Sequence, residues 1–340
     1  MNITSEKKSF GMWLASIFWN INERRLRALW RLLGAVLFIV IFSVIVGGLA
    51  SVSGIASPAP YMGQFQSNIA TVAAIWLATR FLDRRKFSDT GIQLKKDWWI
   101  DLGFGLVLGA LLMAAIFLVG LAAGWITISE TFRTANSGQP FVVAILLPAL
   151  FYLSVGIAEE LAFRGYMLLN VAEGFNLRFI GPRGALIISW LLTSALFGIA
   201  HAIRPDATVV SCVNITLAGM WLGLGYILTG NLAISIGAHI TWNFFQGHVF
   251  GFPVSGTNFF PTTFVAIEQG GPELWTGGAF GPEASLMGLF AVALGALLVV
   301  VWVRIRYAKL TLFTAIADPP PERQMTASDA SGRNAPEPTT

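Results

Sequence analysis

The stretch "LLGAVLFIVIFSVIVGGLA", Leu32 to Ala50, carries no charged side chain, and the charge-free run continues to Thr79. An apolar segment of about 20 residues is long enough to cross the hydrocarbon core of a bilayer as a helix. A second charge-free run extends from Ala207 to Ile267. Over its 340 residues the chain is 55% hydrophobic and 12% charged, against roughly 25% charged for a soluble domain. Mean hydropathy is +0.68. These features predict an all-α fold, a polytopic membrane protein of about eight transmembrane helices with a buried polar site.

The expected spans are 31–51, 66–82, 101–125, 141–168, 184–202, 208–229, 231–250 and 284–304. With the N-terminus inside, Arg24, Arg25, Arg27, Arg31, Arg84, Arg85, Lys86, Lys95, Lys96, Arg178, Arg183, Arg304, Arg306 and Lys309 fall on the inner side. Only Arg133 and Arg204 fall outside. Basic residues gather on the cytoplasmic ends of spans, so both termini are expected in the cytoplasm. The pI near 9.4 is therefore a topology signal, and no nucleic acid is implied. One cysteine, Cys212, excludes an intramolecular disulfide. Phe10, Trp13, Leu14, Ile17, Phe18 and Ile21 recur at three and four residues, the spacing of an amphipathic helix lying in the membrane interface. The Pro-, Ser- and Thr-rich tail from Asp318 predicts disorder. The loop Gly251 to Glu283 has no Lys or Arg and is read as an outer loop folding back as a cap. No internal repeat is visible, which removes the repeat signature of many transporters.

Within the fourth span lies "AEELAFRG", Ala158 to Gly165. A charge at the centre of a membrane helix costs about 2.5–3.5 kcal/mol even on lenient scales. Glu160 and Arg164 are four apart and share a helix face, so they can pair. Glu159 lies about 140° from Arg164 around the helix and is the less neutralised acid, suited to act as a general base. A structural polar network explains the same residues equally well. The odds shift with two further stretches. "FGIAH" ends the fifth span with Phe197 and His201 four apart, and "HITWN" sets His239 and Asn243 on one face of the seventh. His248 falls on the opposite face from His239 and reads as an interface histidine. His201 lies roughly 25 Å along its helix from Gly184, and His239 about 12 Å beyond Asn231; a shared site requires them to meet at one depth.

These motifs resemble the CPBP family, membrane proteases and relatives akin to the type II CaaX prenyl endopeptidase and to lysostaphin-resistance protein A. The family pattern is Glu-Glu-x-x-x-Arg, Phe-x-x-x-His and His-x-x-x-Asn. Here it reads Glu159-Glu160-Leu-Ala-Phe-Arg164, Phe197-Gly-Ile-Ala-His201 and His239-Ile-Thr-Trp-Asn243. The resemblance implies an intramembrane endopeptidase acting on a peptide or protein at the membrane. Hydrolysis needs an activated water, an oxyanion donor and a proton for the leaving amine. Glu159 is assigned to the water, His201 to polarising it, His239 and Asn243 to the oxyanion, and Glu160 with Arg164 to ordering the helix. A zinc ion held by Glu159, His201 and His239 is the competing reading. The soluble His-Glu-x-x-His motif is absent. A non-catalytic scaffold or bacteriocin self-immunity protein of the same family is the alternative function, and a transporter a third. The expected organisation is an N-terminal amphipathic segment (1–30), three spans (31–139), a motif-bearing core (140–255), an outer loop (256–283), a last span (284–310) and a disordered tail (311–340), set in a bacterial inner membrane.

Overall fold

The computed structural model describes residues 10–21, 23–53, 60–135 and 138–320. Its helices are α1 (Phe10–Phe18), α2 (Ala28–Val52), α3 (Pro60–Leu77), α4 (Lys96–Ala122), α5 (Phe141–Ala144), α6 (Leu146–Glu160), α7 (Leu169–Phe175), α8 (Gly181–Ala200), α9 (Val209–Thr229), α10 (Ala233–Phe244), α11 (Glu273–Thr276) and α12 (Leu286–Tyr307). Wider π-helical turns follow α3 (Ala78–Leu82), join α6 to α7 (Leu161–Leu168) and follow α10 (Phe245–Val249). The strands form two antiparallel pairs: β1 (Trp19–Asn20) with β2 (Arg25–Leu26), and β3 (Ile126–Arg133) with β4 (Thr263–Gln269). In the second, Ile126 faces Gln269 and Arg133 faces Thr263, with a register shift between Ile128 and Glu130.

The protein is an all-α polytopic membrane protein. Among the described residues, 6 helical stretches are long and apolar enough to cross a membrane: Ala28–Val52, Lys96–Ala122, Phe141–Phe175, Gly181–Ile203, Val209–Thr229 and Leu286–Tyr307. The expected count of eight is not reached by that measure. Helix α3 dilutes its apolar character with Gln64, Gln66, Ser67 and Asn68, and α10 has only 12 residues before its backbone widens.

Helix α10 is nevertheless the centre of the bundle. Ala233 to His239 are all buried, as are Trp242 and Asn243; a helix buried on every side is apolar nearly all round. Glycines let its neighbours approach. A Cβ on Gly105 or Gly109 of α4 would run into the carbonyls of Ile234 and Ala238, and one on Gly237 into that of Leu102. Small residues spaced by four bring membrane helices into backbone contact. Gly156 of α6 lies against Ile240, and Gly198 of α8 against Thr216 and the carbonyl of Cys212. The start of α10 is fastened by hydrogen bonds from Leu232 N to Gly91 O (3.0 Å) and from Asn231 Nδ2 to Asp101 Oδ2 (3.3 Å). Asp101 also accepts from Trp302 Nε1 (2.9 Å) and Tyr307 Oη (2.6 Å) of α12.

At the same end of the bundle Glu173 of α7 binds Arg25, Arg31 and Arg85, and Arg31 also faces Asp83 at 3.1 Å. One carboxylate shared by several guanidiniums ties the N-terminal segment, α2 and the loop after α3 to the motif-bearing helix. The boundary expected for a disordered tail at 311 needs correction. Phe313 N donates to Ile227 O (2.8 Å), Asn176 Nδ2 donates to Ala317 O (2.9 Å), and Ile316 and Ala317 are buried. Ile316 and Ala317 join the buried core, with Leu312 packed against it, which explains why this part packs. The rest of the tail lies outside the described residues.

Candidate functional site in the membrane bundle

Each motif sits where a helix changes character. Glu159 and Glu160 end α6, and the helix widens immediately afterwards into the π-turn that holds Arg164. Such turns recur at functional sites. His201 follows the last residue of α8 in a short 3-10 turn, His201–Ile203. His239 and Asn243 lie one turn apart on α10.

Glu160 and Arg164 are fully enclosed and paired, Nη1 to Oε1 at 2.9 Å. Arg164 also donates Nη2 to Gly219 O (3.0 Å) and stacks its guanidinium 4.4 Å from the Phe197 ring centroid. Glu160 Oε1 accepts a second hydrogen bond, from His239 Nδ1 at 2.7 Å, while its Oε2 has no partner. The other nitrogen of His239 faces Glu159 Oε2 at 3.8 Å. Glu159 is the open acid, its side chain 18% exposed against 0% for Glu160. His201 is anchored by Nδ1 to Phe197 O (2.8 Å). The Asn243 amide makes no hydrogen bond among the described residues and faces the cavity.

That cavity, about 60 Å³, is lined by Glu159, His201, His239 and Asn243. At about 10–15 Å³ of such volume per water, it has room for several waters. Glu160 and Arg164 stand behind the wall. The two histidines do not share a point: the Phe197 ring packs against both, with centroids 4.7 Å from His201 and 6.2 Å from His239. Among the described residues no three His, Cys, Asp or Glu side chains converge as a metal site. Tetrahedral zinc draws its ligands to about 2.0–2.2 Å from one point, and Glu159, His201 and His239 do not fit that donor set as they stand. Both histidines line one cavity, as a shared site requires.

His248 corrects its expected position at the interface. It is buried, donates from Nδ1 to Thr262 O at 2.7 Å, and packs on Tyr152, Phe244 and Phe260. It is a packing histidine that pins the loop after α10. That loop does fold back: Val254, Ser255, Thr257 and Phe259 close one side of the cavity. The sequence reading missed Tyr152, Arg204, Asn214 and Glu283, which line the cavity too. The sequence marks Arg204 only as a basic residue on the outer side. Glu283 had one faint signal, an acid in a loop without a single Lys or Arg.

Fold and site together define a polytopic membrane protein with a carboxylate–histidine–asparagine cluster on an internal cavity. Residues 140–245, the segment that carries all three motifs, match the model of the type II CAAX prenyl endopeptidase Rce1-like family. The uncharacterized protein YyaK of Bacillus subtilis (strain 168) is 26% identical over 228 residues, covering 62% of this chain and 70% of YyaK. No solved structure matches.

Proposed function

We propose that the protein is an intramembrane endopeptidase that hydrolyses a peptide bond of a membrane-associated peptide or protein with a glutamate-activated water. The observation that carries this reading is the division of labour between adjacent acids: Glu160 is engaged through Oε1 by Arg164 and His239, while Glu159 faces the cavity. Glu159 takes a proton from a cavity water. The water oxygen attacks the carbonyl carbon, and charge develops on the carbonyl oxygen. Asn243, with an unengaged amide, donates to that oxyanion, and His239, oriented by Glu160, stands beside it. Preorganised donors in a water-poor site act strongly on developing charge. His201 holds water further along the cavity. No step is routed through a metal.

The arginine-rich end of the bundle supports a cytoplasmic location for both termini, in a bacterial cell membrane. Reporter fusions at Lys95 and Gly270 should report opposite sides. The function is tested by comparing membrane proteomes of wild type and a Glu159→Ala strain. A precursor that accumulates only in the variant supports the endopeptidase. An unchanged proteome, together with a phenotype that Glu159→Ala still complements, favours the non-catalytic scaffold.

A further inference from the structure

Hydrolysis as described leaves one task without an owner: the nitrogen expelled when the C–N bond breaks needs a proton. The cavity holds a carboxyl group that none of the three motifs contains. Glu283 lies in the turn Pro282–Ala284 just before α12, and its side chain lines the same cavity as Glu159, His201 and Asn243. It is held firmly. Ser255 donates both its backbone N–H (2.6 Å) and its hydroxyl (3.1 Å) to Oε2.

The backbone around this contact is shaped for it. Ser255 has φ 47°, Gly256 φ 71° and Gly281 φ 103°, conformations that L-residues avoid. A Cβ on Gly256 would strike the carbonyl of Pro205, and one on Gly281 that of Pro253. Gly256 N donates to Phe280 O at 2.9 Å. The loop after α10 and the loop before α12 are thus knitted around one carboxyl, against the turn that carries His201 and Arg204. Among the described residues Glu283 makes no ion pair. A neutral side chain would staple the loops without the cost of burying an ionisable group. Burial pushes its carboxyl up, against the pull of the Ser255 donors and of His201. The other titratable or charged groups facing this cavity are Tyr152 and Glu159 from α6, His201 and Arg204 after α8, and His239 from α10; α9 and α12 present only neutral residues.

We propose, resting on the endopeptidase reading above, that Glu283 is the acid of the reaction, on the same cavity as the base Glu159. The water oxygen bonds to the carbonyl carbon and one water proton passes to Glu159. The C–N bond breaks with its electron pair on nitrogen, and the nitrogen takes the proton of Glu283. Proton exchange with solvent returns Glu159 to carboxylate and Glu283 to acid. One water is consumed, and one carboxyl and one amine are formed.

The test uses full-length protein in proteoliposomes, with internally quenched peptide mixtures and matched depsipeptides in which the scissile amide is an ester. An ester's alkoxide leaves without a full proton transfer, so the acid matters less to it. Glu283→Gln should lose about 10²-fold or more of amide cleavage, keep most ester cleavage, and melt as wild type does. Glu283→Asp should recover part of the amide activity. In wild type, amide cleavage should fall on the alkaline side as Glu283 loses its proton, and that limb should be missing from the residual activity of Glu283→Gln. Ser255→Ala separates a simple staple from an acid. If Glu283→Gln and Ser255→Ala lower the melting temperature alike, with amide and ester cleavage falling together, Glu283 only holds the loops and the proposal is overturned. Wild-type protein that cleaves neither substrate overturns the endopeptidase reading itself.

Discussion

Glu160 Oε1 accepts hydrogen bonds from both Arg164 and His239, the latter at 2.7 Å, so the first motif and the third are joined through a single oxygen atom. The consequence is a wall behind the cavity in which one acid is buried in a network and its sequence neighbour is open to the cavity.

That network makes the two glutamates separable by stability. Removing one partner of a buried pair typically costs about 3–5 kcal/mol. Glu160→Gln and Arg164→Gln should each lower the melting temperature in detergent, followed by tryptophan fluorescence, and the double change should cost less than the sum. Glu159→Gln should abolish cleavage and melt normally. Early melting of Glu159→Gln beside a stable Glu160→Gln would reverse the assignment.

Asn243→Ala removes the unengaged donor from the cavity. Loss of one oxyanion donor costs about 10²–10³ in kcat, with little change in KM. A rise in KM at constant kcat would instead make Asn243 a substrate-binding residue.

Gly198 is the point where α8 rests on α9. Gly198→Val should drive the helices apart, at the roughly 1–3 kcal/mol typical of overpacking, and displace His201 at the end of α8. Gly47→Val is the control, because a Cβ there meets nothing within 4 Å. Equal melting of the two variants would show that the α8–α9 contact is not tight.

Asp83, at the arginine-rich end, has its carboxyl raised from 3.8 to about 6, first by burial and against the pull of Arg31. A carboxyl raised on folding binds more protons in the folded than in the unfolded state between those two values. Its contribution to stability is therefore full below 3.8 and is lost as pH rises through about 6. The wild type should show this downward slope over that window, and Asp83→Asn should lack it. Parallel melting curves against pH for the two proteins would contradict the assignment.

Purified protein dialysed against a strong chelator should keep its cleavage activity, because Glu159, His201 and His239 do not converge on one point. Activity that is lost on chelation and restored by zinc would mean that the three side chains rearrange to share a metal.

Much of this was legible in the sequence because it depends on local periodicity. Charge-free runs at Leu32–Thr79 and Ala207–Ile267 announce membrane helices, since the cost of an apolar helix in water and of a charge in lipid does not depend on neighbours. The pairing of Glu160 with Arg164 follows from helical spacing, and the π-turn between them leaves the contact intact. What stayed hidden depends on contacts distant in the chain. His239 binds Glu160 across 79 positions, Phe197 packs against both imidazoles, and Glu283 reaches the cavity only because Ser255 and two glycines in left-handed conformations fold the loops together. The span expected at 231–250 is present as α10 and its π-turn, but its enclosure by the rest of the bundle is set by packing and not by hydropathy. Periodicity determined which segments are helices and which residues share a face. Only packing decided which faces meet, and with them which acid is buried, which is open and which residues share the cavity.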